Sequence, residues 1–352
     1  MFDARREIID PLFQLNLLIW QTLPKMPGSR HILNESGYGV HGISTKLSVP
    51  LEIQEKMNDT DIDYKKNTSP DLIVKKEGKF AIIEMKKNSF GIESTNSRQA
   101  NSLLLMNNGV LMQSLGYPAD KEIGTHLSYM TIEKKTDAQR KTLKELERSL
   151  VDKGIDCVDH SVFGIDCDDD NNVYLCLDEF TQNGLEMNDK GRIKVLESDG
   201  NTDPTPLYII PHDPNSDHDG ARSKYTEQVF REKVHSQIIS TIGLALIKKE
   251  TEINIDNIIE KLTFGLFKSW GDTGAVRNLK KNINGYLNDI SLKTNKKIFK
   301  KDGKWFFRID SFDERNELIG MLKKLTLEIK DFEIPTLFEY GNEAGMKGED
   351  EK

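Results

Sequence analysis

Residues 69–87 read Ser69-Pro70-Asp71-Leu72-Ile73-Val74-Lys75-Lys76-Glu77-Gly78-Lys79-Phe80-Ala81-Ile82-Ile83-Glu84-Met85-Lys86-Lys87. The runs from Asp71 to Lys76 and from Lys79 to Lys87 predict two strands, and Glu77-Gly78 predicts the short turn between them. Side chains two apart in a strand share a face. Glu84 and Lys86 therefore point one way while Ala81, Ile83 and Met85 point the other. Packing alone would favour Val or Ile at the end of such a strand. Asp71 begins its strand and Glu84 lies late in the returning one, so the two carboxylates can meet at one end of a sheet.

Two converging carboxylates and a lysine suit phosphodiester hydrolysis. Oxygen ligands hold Mg²⁺ or Mn²⁺, which keep several waters. The lysine can stabilise developing negative charge or orient a water. The candidate catalytic residues are Asp71, Glu84 and Lys86, with Asp71 and Glu84 as metal ligands.

Pro70-Asp71 followed by Glu84-Met85-Lys86 resembles the PD-(D/E)xK nuclease superfamily, whose core is a helix, three strands, a helix and a strand. The resemblance covers residues 1–166. It implies an α/β, restriction-endonuclease-like mixed sheet flanked by helices. It also implies a further acid from the first helix or just after it, for which Glu7, Asp10 and Glu35 are available. Glu35 is preferred, because Asn34-Glu35-Ser36-Gly37 directly precedes the first strand region. Exonuclease-type members carry a Gln and, four residues later, a Tyr on the next helix. Gln99 matches the first, but Leu103 stands at the second position. Gln99 is thus a candidate for orienting water or substrate, and the exonuclease subgroup is disfavoured.

The flanking sequence predicts a compatible order. Residues 3–22 form an apolar helix around Pro11, ended by Pro24, Pro27 and Gly28. Strands are expected at 46–53 and 126–134, helices at 98–106 and from Thr136 through Leu143, Leu146 and Leu150, and a strand at 157–166. Asp166 to Asn172 opens like a calcium loop but lacks its central Gly, and Leu177 replaces the closing Glu, so it reads as a hairpin tip. Asp199 to Pro206 and Pro211 to Gly220 read as connectors. His212, Asp213, Asp217, His218 and Asp219 have no known metal-cage spacing.

From Tyr225 the pattern turns helical. Expected helices at 229–248, 258–266 and from Thr273 to Ile290 precede a hairpin around Asp302-Gly303. A last helix runs from Asp313 to Ile329, and Asn342 to Lys352 forms a charged tail. Three helices and a hairpin make the order of a winged helix. The domains expected are thus 1–220, with a core at 1–166 and a β-rich extension at 167–220, then a winged-helix-like 221–330 and a tail at 331–352.

Charge is uneven. The chain of 352 residues has a net charge of −8. From Ala275 to Lys304, nine basic residues face two acids, a net +7 that leaves −15 for the remainder. Such an island predicts a polyanion contact. Its candidate DNA-binding residues are Arg277, Lys280 and Lys281 on the third helix, and Lys297, Lys300, Lys301 and Lys304 on the wing.

Hydrophobic residues make up 37% of the chain, enough for cores but with no run suited to a membrane. With its charged start no signal peptide is expected, and Cys157, Cys167 and Cys176 form no C-x-x-C pair, so a cytoplasmic protein is expected. No Walker loop is present, so no ATPase is expected. The expected partners are double-stranded DNA, a second copy of the chain in a homodimer, and other defence-system subunits. The resemblance implies a Mg²⁺-dependent DNA endonuclease of restriction or phage defence. A regulator with an inactive nuclease-like domain and a nuclease subunit of a larger complex are the alternatives.

Overall fold

A computed structural model describes residues 3–24, 30–118, 123–197, 224–271 and 273–329. The chain divides into two compact units. The first comprises Met1–Ile209 with Lys268–Thr273, and the second Ile210–Phe267 with Gly274–Lys352. The connectors expected at 199–206 and 211–220, the histidine and aspartate group from His212 to Asp219, Pro27-Gly28 and the tail lie outside the described residues.

The first unit contains, in chain order, α1 (Ala4–Glu7), α2 (Pro11–Gln21), α3 (Ile32–Glu35), β1 (Gly39–Ile43), β2 (Leu47–Ser48), α4 (Leu51–Asn58) and β3 (Asn67–Thr68). There follow β4 (Leu72–Lys76), β5 (Lys79–Met85), α5 (Thr95–Leu104), α6 (Asn108–Ser114), β6 (Gly124–Ile132), α7 (Thr136–Val151), β7 (His160–Cys167), β8 (Val173–Leu177), α8 (Glu179–Leu185) and β9 (Gly191–Leu196). It is an α/β unit built on a seven-stranded mixed sheet of order β1-β4-β5-β6-β7-β8-β9. β5, β6 and β7 are parallel, and every other neighbouring pair in this sheet is antiparallel. Parallel neighbours need long crossovers. Here α5 and α6 connect β5 to β6, and α7 connects β6 to β7.

The crossover helices form one side of the core. Phe80 and Ile82 of β5, with Leu127 and Tyr129 of β6, are buried with Leu103 and Leu104 of α5 and Leu143, Leu146 and Leu150 of α7. The three- and four-residue spacing of those α7 leucines puts them on one stripe, and burying each contributes about 1.5–3 kcal/mol. Ala81, Ile83 and Met85 alternate to the other face of β5, and α2 packs against this strand.

The first helix is two helices. Asp10 caps α2 by accepting from Leu12 N–H at 2.9 Å, and Pro11 takes the first helical position, where its missing N–H costs nothing. The strand expected at 46–53 is also corrected. Only Leu47 and Ser48 pair, and the chain turns into α4 after Pro50. The strand beside β4 is instead β1, Gly-Val-His-Gly-Ile, with a register irregularity between Val40 and Gly42. At the end of β1 a bridge joins Ile43 to Trp270, and Gly271 N–H donates to the Ile43 carbonyl at 2.6 Å. A Cβ on Gly271 would lie 2.5 Å from the Ser44 carbonyl, so only glycine fits that approach.

The second unit contains α9 (Lys224–Ile247), β10 (Glu252–Ile253), α10 (Ile255–Leu262), α11 (Thr273–Lys293), β11 (Ile298–Lys301), β12 (Lys304–Phe307) and α12 (Phe312–Ile329). Asn254 caps α10 through Asp256 and Asn257 N–H. β10 lies on one side of β12 and β11 on the other. The hairpin turn is Asp302-Gly303, both at positive φ as a tight two-residue turn requires. Trp305, Ile298 and Ile253 are buried with Leu279, Ile283, Leu287 and Ile290 of α11 among the core residues.

Candidate active site

The hairpin sets the geometry. Register pairs run from Lys76↔Lys79 to Leu72↔Ile83. One step further, Asp71 stands opposite Glu84. Asp71 N–H donates to Glu84 Oε2 at 3.3 Å, and Met85 N–H donates to Asp71 Oδ2 at 2.7 Å. Lys86 Nζ lies 2.6 Å from Glu84 Oε1 and 3.2 Å from Gln99 Oε1. Gln99 Nε2 reaches the Ser69 carbonyl at 3.5 Å. Gln99 thus ties the lysine to the turn before Asp71. It reaches them because α5 covers the face of β5 that carries Phe80, Ile82 and Glu84.

Burial makes this arrangement electrostatically tense. The Glu84 side chain is 2% exposed and that of Lys86 16%. Burial, and then the charge of Asp71, push the Glu84 carboxyl up to about 8 against the opposing pull of Lys86. Burial raises Asp71 as well, opposed by the Met85 N–H and Lys86. Two carboxylates share one ammonium, and a divalent cation would supply the missing positive charge. The donor set is all oxygen, which suits Mg²⁺ or Mn²⁺ rather than zinc. Among the described residues no group of three or more His, Cys, Asp or Glu side chains is placed to hold a metal. The two carboxylates would therefore leave most of the coordination sphere to water, as Mg²⁺ prefers.

This tension gives a pH signature. The carboxyl of Glu84 binds its proton more tightly in the folded chain than at its ordinary 4.5. Its contribution to stability is full below that value and is lost as pH rises toward about 8. Metal-free protein is expected to melt at progressively lower temperature across that window, and Glu84→Gln to flatten that part of the profile. Parallel melting profiles for the two proteins would show that Glu84 is not the titrating group.

Glu35 does not join the site. β1 runs antiparallel to β4 with Gly39 opposite Lys75, so α3 precedes the end of the sheet away from Asp71. Four residues of strand, about 14 Å, separate Lys75 from Asp71. Glu35 Oε2 there accepts from Arg30, which also pairs with Asp189. Its carbonyl accepts from Asn188. The other upstream acids lie at the opposite end. Ala4 N–H donates to Asn171 Oδ1 at 3.1 Å, in the turn just beyond β7, and Arg5 pairs with Asp169. Because β5, β6 and β7 are parallel, α1 sits at the sheet end that holds Glu84. Glu7, 1% exposed, and Asp10 are carried there with it.

The sequence reading also passed over Tyr129. In the parallel register of β5 and β6 it is the partner of Glu84. That neighbour is invisible without the pairing, because Tyr129 follows Glu84 by 45 residues. The segment Asp166 to Asn172 is a hairpin end, with Asp168 accepting from Asn172 N–H and from the Tyr174 hydroxyl at 2.6 Å.

In the second unit the basic island is partly neutralised. Lys280 pairs with Asp256 at 2.7 Å, Lys297 with Glu317, and Lys304 with Glu252 at 3.6 Å. Lys300 Nζ and Trp305 Nε1 both donate to Asn284 Oδ1 at 3.0 Å. Among the described residues Arg277, Lys281 and Lys301 have no carboxylate partner. All three are exposed, and Arg277 and Lys281 lie four apart on α11, away from its buried stripe. No helix among the described residues is long and apolar enough to cross a membrane. The chain matches no family model, no curated protein and no solved structure.

Proposed function

We propose that the chain is a divalent-metal-dependent DNA endonuclease of the PD-(D/E)xK kind. The observation that carries this reading is the pair Asp71 and Glu84, opposed across the β4–β5 hairpin with the Lys86 ammonium on Glu84. Asp71 and Glu84 would hold Mg²⁺ or Mn²⁺. The cation supplies polarisation of the scissile phosphate and a more acidic bound water. Lys86 leaves Glu84 for the phosphate and stabilises the charge that develops there. Gln99 limits where the lysine can go.

The second unit supports the DNA part of the reading. Its order of helix, strand, two helices and a hairpin, with β12 between β10 and β11, resembles that of a winged helix. Placing α11 in the major groove and the β11–β12 wing on the backbone uses Arg277, Lys281 and Lys301 together. One active site per chain and two strands to cut favour a homodimer on DNA. A prokaryotic restriction or phage-defence setting, in the cytoplasm and with other subunits of such a system, is the context we infer from the superfamily resemblance.

The test is metal dependence. Purified protein is expected to cut plasmid DNA with Mg²⁺ or Mn²⁺ and to stop when EDTA is added. Cutting by metal-free protein would exclude this mechanism. A second reading, a DNA-binding regulator with an inactive nuclease-like unit, draws on the described residues, among which no third acid clusters with Asp71 and Glu84. It is favoured if DNA is bound but never cut with either metal.

A further inference from the structure

β6 carries two buried hydroxyls beside the motif. Tyr129 is fully buried, and its hydroxyl has no hydrogen-bond partner among the described residues. Thr131, two positions on, is also fully buried, and its Oγ1 has no partner among the described residues. Tyr129 is level with Glu84. Lys86 N–H donates to the Met130 carbonyl at 2.9 Å, which brings Lys86 level with Thr131. Glu84, Lys86, Tyr129 and Thr131 therefore make one polar patch across two strands, directly beyond the apolar Ile82 and Leu127. The ring of Phe90 packs 6.1 Å from that of Tyr129.

A buried hydroxyl without a partner is a net cost to the fold, and phenylalanine would fill the same space without it. The Tyr129 ring explains packing; its oxygen does not. Burial first, then the charges of Glu84 and Asp71, raise its phenol well above the usual range, so it stays protonated and able to donate. The Glu84 oxygens are engaged by Lys86 and by Asp71 N–H.

We propose that Tyr129 is a positioning residue of the loaded site, whose hydroxyl donates to the Glu84 carboxylate once the Lys86 ammonium has moved to substrate phosphate. This rests on the nuclease reading above. Donors to a metal-ligating carboxylate fix its orientation, and their loss costs about 10–100-fold in metal affinity or activity. The hydroxyl is thus without a role while Lys86 holds Glu84 and takes one when Lys86 leaves.

The experiment is Tyr129→Phe in the full chain, read three ways. Metal-free thermal unfolding is expected to be unchanged or shifted upward. The Mn²⁺ concentration needed to raise the melting temperature of the DNA-bound protein is expected to increase about tenfold. Single-turnover cleavage is expected to slow about 10–100-fold. A lower metal-free melting temperature with unchanged Mn²⁺ response would assign the hydroxyl to the fold and overturn the proposal. No change in any of the three would overturn it too. Wild-type protein that responds to Mn²⁺ yet cuts nothing would sink the nuclease reading, and the Mn²⁺ titration would still decide on Tyr129.

Discussion

Glu84→Ala is expected to reduce cleavage by at least about 10³-fold while leaving the protein folded. The substitution removes a buried carboxylate that is costly to ionise, and its partner Lys86 still has Gln99 and partial access to solvent. Lys86→Ala should be as severe for activity, because no other cation among the described residues is bonded to Asp71 or Glu84. That variant should also fold. Removing one partner of a buried pair normally leaves an uncompensated charge costing about 3–5 kcal/mol. Here Glu84 already holds its proton tightly and can escape that cost by staying neutral. Single-turnover assays with circular dichroism on both variants check this. A folded variant that cuts at the wild-type rate would remove its residue from the mechanism.

Neutralising Arg277, Lys281 and Lys301 to Gln is the second large effect expected. These exposed cations have no carboxylate partner among the described residues, so they are available to phosphates. Each lost phosphate contact should reduce the slope of log affinity against log salt by about 0.9, so the triple variant should flatten it by about 3. The control is Lys280, Lys297 and Lys304 to Gln, which removes charges already paired with Asp256, Glu317 and Glu252. Binding titrations at several salt concentrations separate the two sets. Equal losses would mean that the island is a solvated face and that the second unit serves another partner. Glu84→Ala should behave in the opposite way, binding DNA without cutting it.

The contrast between those two lysine sets shows where sequence reading stops. Charge along the chain located the island from Ala275 to Lys304, because local density needs no fold. It could not say which lysines were already spoken for. Asp256 and Glu252 precede the island and Glu317 follows it, and only the fold brings them to Lys280, Lys304 and Lys297. The β4–β5 hairpin was legible for a complementary reason. Strand alternation and a two-residue turn are local, so the facing of Asp71 and Glu84 follows from counting. Gln99 was legible as a helix residue after that strand.

Glu35 failed because its position depends on strand direction. Its proximity in sequence to the first strand said nothing about which end of the sheet it would occupy. The strand beside β4 is Gly39–Ile43 rather than 46–53, and its two glycines in five residues hide it from a propensity reading. Pro50 and the helix formers after it, Glu52, Gln54, Glu55 and Lys56, decide that region for α4. Tyr129 was hidden because a parallel pairing links residues separated by a whole crossover.

Asp71 and Glu84 are proposed to hold one divalent cation together. Crystals grown with Mn²⁺ and measured for anomalous scattering test it directly. One strong peak per chain is expected between the two carboxylates, about 2.0–2.6 Å from an oxygen of each, with Lys86 displaced from Glu84. A peak bound elsewhere, or no peak with Lys86 still on Glu84 at saturating Mn²⁺, would contradict it.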